Sequence, residues 1–271
     1  MEYINSIVFG IIQGLTEFWP VSSSGHLVIA HEFFNFNLVD DLGFDVALHL
    51  GTLIAVVAFF WKEISTYIVA FFNSLANWNL QHDINQRLAW YIAIGTLPAA
   101  FAGYLVAGYA DTIFRNLWLV ASLLVSIGVL LIVAEKIFQK KNDLSKLSWK
   151  GAMTVAFAQV FALVPGVSRS GITIIAGLSQ GLQRPAATRF SFLLSIPIIA
   201  GAGFKKIVEV AQQGMGSEQW LVMIIGLLSA AVVGYIAISF LLRFVERRSL
   251  NVFGYYRIVL GVLVMLYLVF Y

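Results

Sequence analysis

The sequence predicts an all-α integral membrane protein with an inverted-topology repeat, about six transmembrane helices and two re-entrant helix–turn–helix pairs. Three observations carry that class. Of 271 residues, 60 % are hydrophobic and 11 % charged, less than half the charge of an ordinary soluble domain at about 25 %. Asp, Glu, Lys and Arg are missing from long runs at 46–61, 88–110, 116–134, 151–168 and 219–242, and from shorter ones at 190–204 and 258–271. Two further apolar segments are each broken near the middle by proline with a serine–glycine run. The net charge of +3 gives no reason to expect a nucleic-acid partner, and the lack of cysteine excludes a disulfide scaffold, a zinc–thiolate site and a catalytic thiol. Continuously apolar runs, rather than alternating segments of about ten residues, speak against a β-barrel.

In chain order, residues 1–36 form the first broken segment, around Pro20-Val21-Ser22-Ser23-Ser24-Gly25. They lack the basic start of a secretory leader and carry Glu2 and Glu17. Pro and Gly stop a helix and Ser caps the next one, so the flanking pieces are too short to cross alone and are expected to enter the bilayer and turn back. Crossings of about 20 residues are expected at 44–61, 88–109 and 116–138. Residues 151–185 form the second broken segment, around Pro165-Gly166-Val167-Ser168-Arg169-Ser170-Gly171. Crossings at 187–204, 219–242 and 253–271 complete a single membrane domain. Irregular backbone at membrane depth survives only where it is buried or lines a wet cavity, which makes the two turns the place to look for a site.

Basic residues set the orientation. Lys136, Lys140, Lys141, Lys146 and Lys150 in one loop and Arg243, Arg247 and Arg248 in another are expected on the cytoplasmic side. The six crossings then place loop 62–87, with Lys62 and Arg87, on the same side, and leave Arg115, Lys205 and Lys206 outside. That is ten basic residues against three. Both termini then lie outside, and the first re-entrant pair enters from there.

The two halves, 1–140 and 147–271, repeat one another. Gln13 matches Gln159, Val21-Ser22-Ser23-Ser24-Gly25 matches Val167-Ser168-Arg169-Ser170-Gly171, and Phe44 matches Phe190, all at a shift of 146. Each half holds one re-entrant pair and an odd number of crossings, so the second copy is inverted. Inverted repeats with broken helices bring their interruptions together near the bilayer midplane.

Several residues there have chemistry to offer. Gln13 and Glu17 stand four apart on one helical face just before the Pro20 break, and an intramembrane carboxylate is a functional candidate by default. His26 shares its turn with three hydroxyls, those of Ser22, Ser23 and Ser24; His31, His49 and His82 lack such company and are read as structural. Arg169 lies in the middle of an embedded turn and requires an anionic partner. Its planar fork suits bidentate binding of phosphate or carboxylate, beside the amides of a helix start; a pairing with Glu17 across the pseudo-two-fold is the alternative. Thr173 adds a hydroxyl from the first turn of that helix. An acid, an imidazole, hydroxyls and a guanidinium in an anion-friendly pocket are the parts for phosphoryl transfer, and a substrate reaching them from the bilayer would be a lipid phosphate. The competing class is a transporter or flippase of a lipid phosphate or organic anion, since broken inverted repeats are a transporter architecture.

Gln13-Gly14-Leu15-Thr16-Glu17-Phe18-Trp19-Pro20-Val21-Ser22-Ser23-Ser24-Gly25-His26 resembles the (E/Q)-x-x-x-E motif and serine–histidine turn of the bacterial undecaprenyl-diphosphate phosphatases, the bacitracin-resistance family. Pro165 to Gly171 resembles that family's P-G-x-S-R-S-G motif, and the similarity covers the whole chain. The resemblance implies hydrolysis of undecaprenyl diphosphate to undecaprenyl phosphate, which recycles the carrier lipid of cell-wall synthesis. It also implies a homodimer in the bacterial inner (cytoplasmic) membrane, a site open to the periplasmic side and a divalent cation, Mg²⁺ or Ca²⁺. By position, Glu17, Ser22, Ser23, His26 and Arg169 would carry catalysis. Gln13, Ser24, Gly25, Gly166, Ser168, Ser170, Gly171 and Thr173 would bind substrate. Gln at 13 and Ser at 24 stand where relatives often have Glu and Thr, so any cation would bridge Glu17 and the substrate's phosphates. Two mechanisms are expected to compete: attack by Ser22 or Ser23 with His26 as base, which is preferred, or a direct role of His26 as nucleophile or activator of water. The acid-phosphatase-like lipid phosphatases share a serine–glycine–histidine turn, but they need a later histidine and none follows His82.

Overall fold

The computed structural model describes residues 2–34, 41–106, 116–139, 141–213 and 216–270; Arg115 and Lys140, named above, lie outside them, as do the ends of the ranges 1–36, 88–109 and 253–271. Among the described residues there are eleven α-helices and no strand. The first re-entrant pair is α1 (Glu2–Phe18) and α2 (Ser23–Phe34). It is followed by α3 (Asp41–Phe59), α4 (Trp61–Ala76), α5 (Ile84–Val106) and α6 (Leu117–Ile137). The second half runs α7 (Trp149–Phe161), α8 (Arg169–Ser179), α9 (Arg184–Gln213), α10 (Ser217–Arg247) and α11 (Asn251–Phe270).

Five helices, α5, α6, α9, α10 and α11, are each long and apolar enough to cross a membrane. Their exposed side chains are largely Leu, Ile, Val and Phe, among them Leu97, Phe101, Leu228, Val232 and Leu266. The protein is therefore an all-α, multi-pass membrane protein. The four re-entrant helices have 17, 12, 13 and 11 residues, at about 1.5 Å per residue too short to span about 30 Å of hydrocarbon.

The sixth crossing departs from expectation. Residues 44–59 of the expected crossing 44–61 lie in α3, but the chain then bends by 81° into α4, over residues expected to form a loop. Lys62 closes the charge-free run 46–61 and so sets the start of the expected loop 62–87, yet Lys62 and Glu63 belong to a helix. The helix they open instead buries Ala70 and Ser74, and Ser74 Oγ accepts from Trp90 Nε1 of α5 at 2.9 Å. Its other face presents Ile68, Val69, Phe72 and Leu75 outward.

Loops rich in basic residues gather at one end. Glu135 at the end of α6 takes a bidentate bond from Arg184 (Nε–Oε1 2.8 Å, Nη2–Oε2 2.8 Å) and the amide of Leu250 at 3.2 Å. Arg87 donates to Ser145 O at 2.8 Å. The 135–150 loop, the α8–α9 turn, the α10–α11 connection and the start of α5 thus share one end. At the opposite end Ser6 Oγ near the start of α1 donates to Val222 O of α10 at 2.6 Å.

Helix α1 lies close against α10 because both are small there. A Cβ on Gly10 would come within 2.6 Å of Gly226 O, and one on Gly14 within 2.9 Å of Ala230 O. Small residues that let backbones approach are the usual contact in membranes, where helices gain no hydrophobic driving force by associating. This contact fixes the depth of α1, and with it the position of Glu17 at the helix's last turn.

Candidate active site

The two turns adopt one conformation twice. Ser22 and Ser168, separated by the shift of 146, are the two non-glycine residues with positive φ among those described, at 77° and 74°. Ser22 Oγ accepts the amide of Gly25 at 3.3 Å, and Ser168 Oγ accepts that of Gly171 at 3.1 Å. Ser22 O takes the amide of His26 and Ser168 O that of Ile172. Each serine is thus the N-cap of its returning helix, held in a left-handed conformation that costs of order 1–3 kcal/mol and persists only when its surroundings over-determine it.

Those surroundings are the partner turn and Arg257. Ser22 Oγ also accepts the amide of Gly166 at 3.2 Å, and Ser170 Oγ donates to Trp19 O at 3.0 Å. Gly166 has φ +97°, and a Cβ there would meet Val120 O at 2.8 Å, so glycine alone fits. Arg257 of α11, 0 % exposed, donates to Pro20 O of the first turn (3.2 Å) and to Gly166 O (2.6 Å) and Val167 O (3.2 Å) of the second. It also donates to Leu123 O and Leu124 O of α6.

Glu17 is the centre of the site, buried at 5 % exposure. Its Oε1 accepts from Arg169 Nη2 at 2.9 Å. Its Oε2 accepts from Ser23 Oγ at 2.6 Å and from Gln13 Nε2 at 3.1 Å, and His49 Nε2 lies 3.5 Å away. Arg169 Nη1 donates to Ser191 O at 3.1 Å, and its Nε is buried without a partner. The guanidinium fork is thus engaged by Glu17 and Ser191, and Nε is the one of its three nitrogens left without a partner. Thr173 Oγ1, 0 % exposed, pairs with Ser191 Oγ at 2.7 Å and braces the wall on which Arg169 rests.

The hydroxyls therefore divide. Ser23 faces the carboxylate. Ser22, Ser168 and Ser170 hold the turns together, and Ser24 lies 3.5 Å from Ser22 Oγ. Gly25 and Gly171 supply the capped amides. By helix geometry the amides of a first turn lack an intrahelical partner, which leaves those of Ser24 in α2 and of Arg169 and Ser170 in α8 without one.

His26 is elsewhere. Its Nδ1 lies 2.8 Å from Ser22 O and its Nε2 2.7 Å from Tyr256 Oη, with the two rings parallel at 5.7 Å. Both nitrogens are occupied, neither by a serine hydroxyl nor by Glu17. The expectation of His26 as base for a serine does not match this geometry. Adjacency to the turn is real, but the ring is aimed at Tyr256 of α11.

Three contributors escaped the sequence reading. His49 is expected from the sequence to be structural, yet α3 brings it against Glu17. Ser191 carried no signal. Arg257 did: an arginine inside the expected 253–271 crossing is itself an intramembrane charge.

A buried Ser–Glu–Arg cluster between two membrane-embedded turns defines a polytopic membrane protein with the constellation of a hydrolytic enzyme. The model of the family described as bacitracin resistance protein BacA matches residues 6–263, and the chain belongs to this family. It is 47 % identical over 267 residues, 97 % of each chain, to a protein of Rubrobacter xylanophilus named undecaprenyl-diphosphatase. Proteins of the same name from Thermomicrobium roseum and Geotalea daltonii are each 41 % identical, over 98 % and 100 % of both chains.

Proposed function

We propose that this protein hydrolyses undecaprenyl diphosphate to undecaprenyl phosphate and inorganic phosphate, returning the carrier lipid to cell-wall synthesis. The observation that carries the reading is the 2.6 Å bond from Ser23 Oγ to Glu17 Oε2 with Arg169 on the other oxygen; the relatives' shared name agrees with it. Glu17 takes the hydroxyl proton as Ser23 Oγ bonds to the terminal phosphorus. The bridging P–O bond breaks, and its electron pair leaves with the lipid monophosphate. Water then attacks the phosphoserine, the P–Oγ bond breaks and Ser23 regains its proton from Glu17. Arg169 and the first-turn amides counter the charge on the phosphoryl oxygens. A pure transporter has no need of a hydroxyl poised on a buried carboxylate, and that reading is not favoured. Purified protein in detergent should release one phosphate per diphosphate lipid and leave the monophosphate; unchanged substrate would refute the assignment.

A divalent cation, Mg²⁺ or Ca²⁺, belongs to the same reading. Among the described residues no three His, Asp or Glu side chains gather into a site, so such an ion would be held by Glu17 with the substrate's phosphate oxygens. Gln13 Oε1, buried and unpartnered, fits as a neutral oxygen ligand for a hard cation. Bound there, the ion would neutralise diphosphate charge.

The protein is placed in the bacterial inner membrane with the basic loops cytoplasmic, the first re-entrant pair entering from the periplasm and the site open to that side. Support comes from the ten-to-three bias in Lys and Arg and from the gathering of their loops at one end. A reporter fused after Lys141 should read cytoplasmic and one after Lys206 periplasmic; the reverse at both would invert the arrangement. The halves 1–140 and 147–271 are read as inverted copies, supported by the matched serine caps. A homodimer follows from the family resemblance, and the mass of the detergent-purified particle tests it.

A further inference from the structure

We propose that His49 is a positioning residue of this site: anchored on α3, it holds Glu17 Oε2 in line with Ser23. The inference rests on the hydrolytic reading above and deepens it. Glu17 sits at the end of a re-entrant helix, one residue before the aromatic pair that leads into Pro20, and the side-chain groups on Oε2 come from three places. Gln13 shares the acid's own helix, Ser23 is the group to be activated, and His49 alone reaches in from a separate long helix.

The imidazole is aimed rather than merely nearby. Its Nδ1 lies 2.8 Å from Asp45 O one turn back on α3. A carbonyl oxygen can only accept, so Nδ1 carries a proton and the ring's orientation is set. Nε2 is thereby turned toward Glu17 Oε2 at 3.5 Å, an ion-pair distance at which the ring holds the carboxylate as the doubly protonated imidazolium. The turn beneath is braced in its own right: Asp45 Oδ1 pairs with His31 Nε2 at 2.9 Å, and the His31 ring packs on Phe9 of α1 with centroids 4.7 Å apart. A chain of contacts therefore links α1, α2 and α3 around the acid. His49 is also the most open member of the cluster, with 30 % of its side chain exposed against 5 % for Glu17 and 12 % for Arg169.

A carboxylate acts as base for one hydroxyl only if the correct oxygen stays within hydrogen-bond reach, about 2.6–3.2 Å. Arg169 fixes Oε1 and will also meet the diphosphate; His49 holds the oxygen that must accept the Ser23 proton, a contact that matters at the chemical step. Its loss should therefore fall on turnover rather than on binding.

The test compares His49→Leu with His49→Gln, the latter keeping an N–H that can be aimed at the carboxylate. His49→Leu should lower kcat about tenfold with KM within about twofold, and His49→Gln should recover to within about threefold of the parent. A Leu variant within twofold of the parent, a Gln variant no better than Leu, or an effect confined to KM would each overturn the proposal. The rate at which a fluorophosphonate probe labels Ser23 reads the Ser23–Glu17 pair without the lipid. Slower labelling in Leu, restored in Gln, supports the role of His49 even if the parent fails to cleave the diphosphate lipid, in which case only the substrate assignment falls. Equal labelling in all three proteins overturns it.

Discussion

Glu17→Gln is expected to leave the protein folded and to slow phosphate release by about two to four orders of magnitude, the usual contribution of a positioned general base. The amide matches the carboxylate in shape, and its oxygen can still accept from Arg169 where Oε1 now lies 2.9 Å from Nη2. It cannot take a proton from Ser23. An amide nitrogen in place of Oε2 would be a donor facing Ser23 Oγ, Gln13 Nε2 and His49 Nε2, so the hydroxyl would be turned to accept instead of donate. Steady-state phosphate release, with an unfolding midpoint in the same detergent as control, measures the effect. A variant within tenfold of the parent would mean that another group activates the nucleophile.

Arg257→Met should destabilise the fold more than any substitution on the hydroxyls. Five backbone oxygens from both turns and α6 accept from this one guanidinium, and the side chain is wholly buried. A buried acceptor left unmet costs about 1–3 kcal/mol, so two such losses already amount to about 2–6 kcal/mol. Lys offers a compact point charge without the planar fork and should restore little. Because Pro20 and Gly166 belong to opposite turns, the loss should part Ser23 from Arg169 and remove activity as well. Denaturant unfolding followed by tryptophan fluorescence reads the first effect; a change under about 1 kcal/mol would show that the turns are held by other contacts.

The parts of this account that were legible in the sequence are those written in local chemistry or in register. Proline and serine–glycine runs marked both breaks because they forbid a helix whatever surrounds them. Gln13 and Glu17 share a face by helical period alone, and their bond is present at 3.1 Å. The shift of 146 sets Ser22 against Ser168, and both are left-handed caps. What stayed hidden depends on tertiary placement. Glu17 and Arg169 are 152 positions apart; that they pair was an open alternative in the sequence, and packing decided it. The direction of His26 is set by Tyr256 on the last helix, and the contact of His49 with Glu17 by how α3 lies against α1. Helix α4 was missed because Lys62 closes the charge-free run 46–61 while its buried face is completed by α5.

The central claim is that Ser23, activated by Glu17, attacks the terminal phosphorus of a lipid diphosphate. Rapid quench of the purified protein with terminally ³²P-labelled undecaprenyl diphosphate, followed by acid and alkali treatment and peptide mapping, tests it most directly. A transient acid-stable label is expected on the peptide carrying Ser23, absent from Ser23→Ala and from Glu17→Gln. Acid-labile label on His26, or no label at all with inverted configuration at phosphorus, would contradict it.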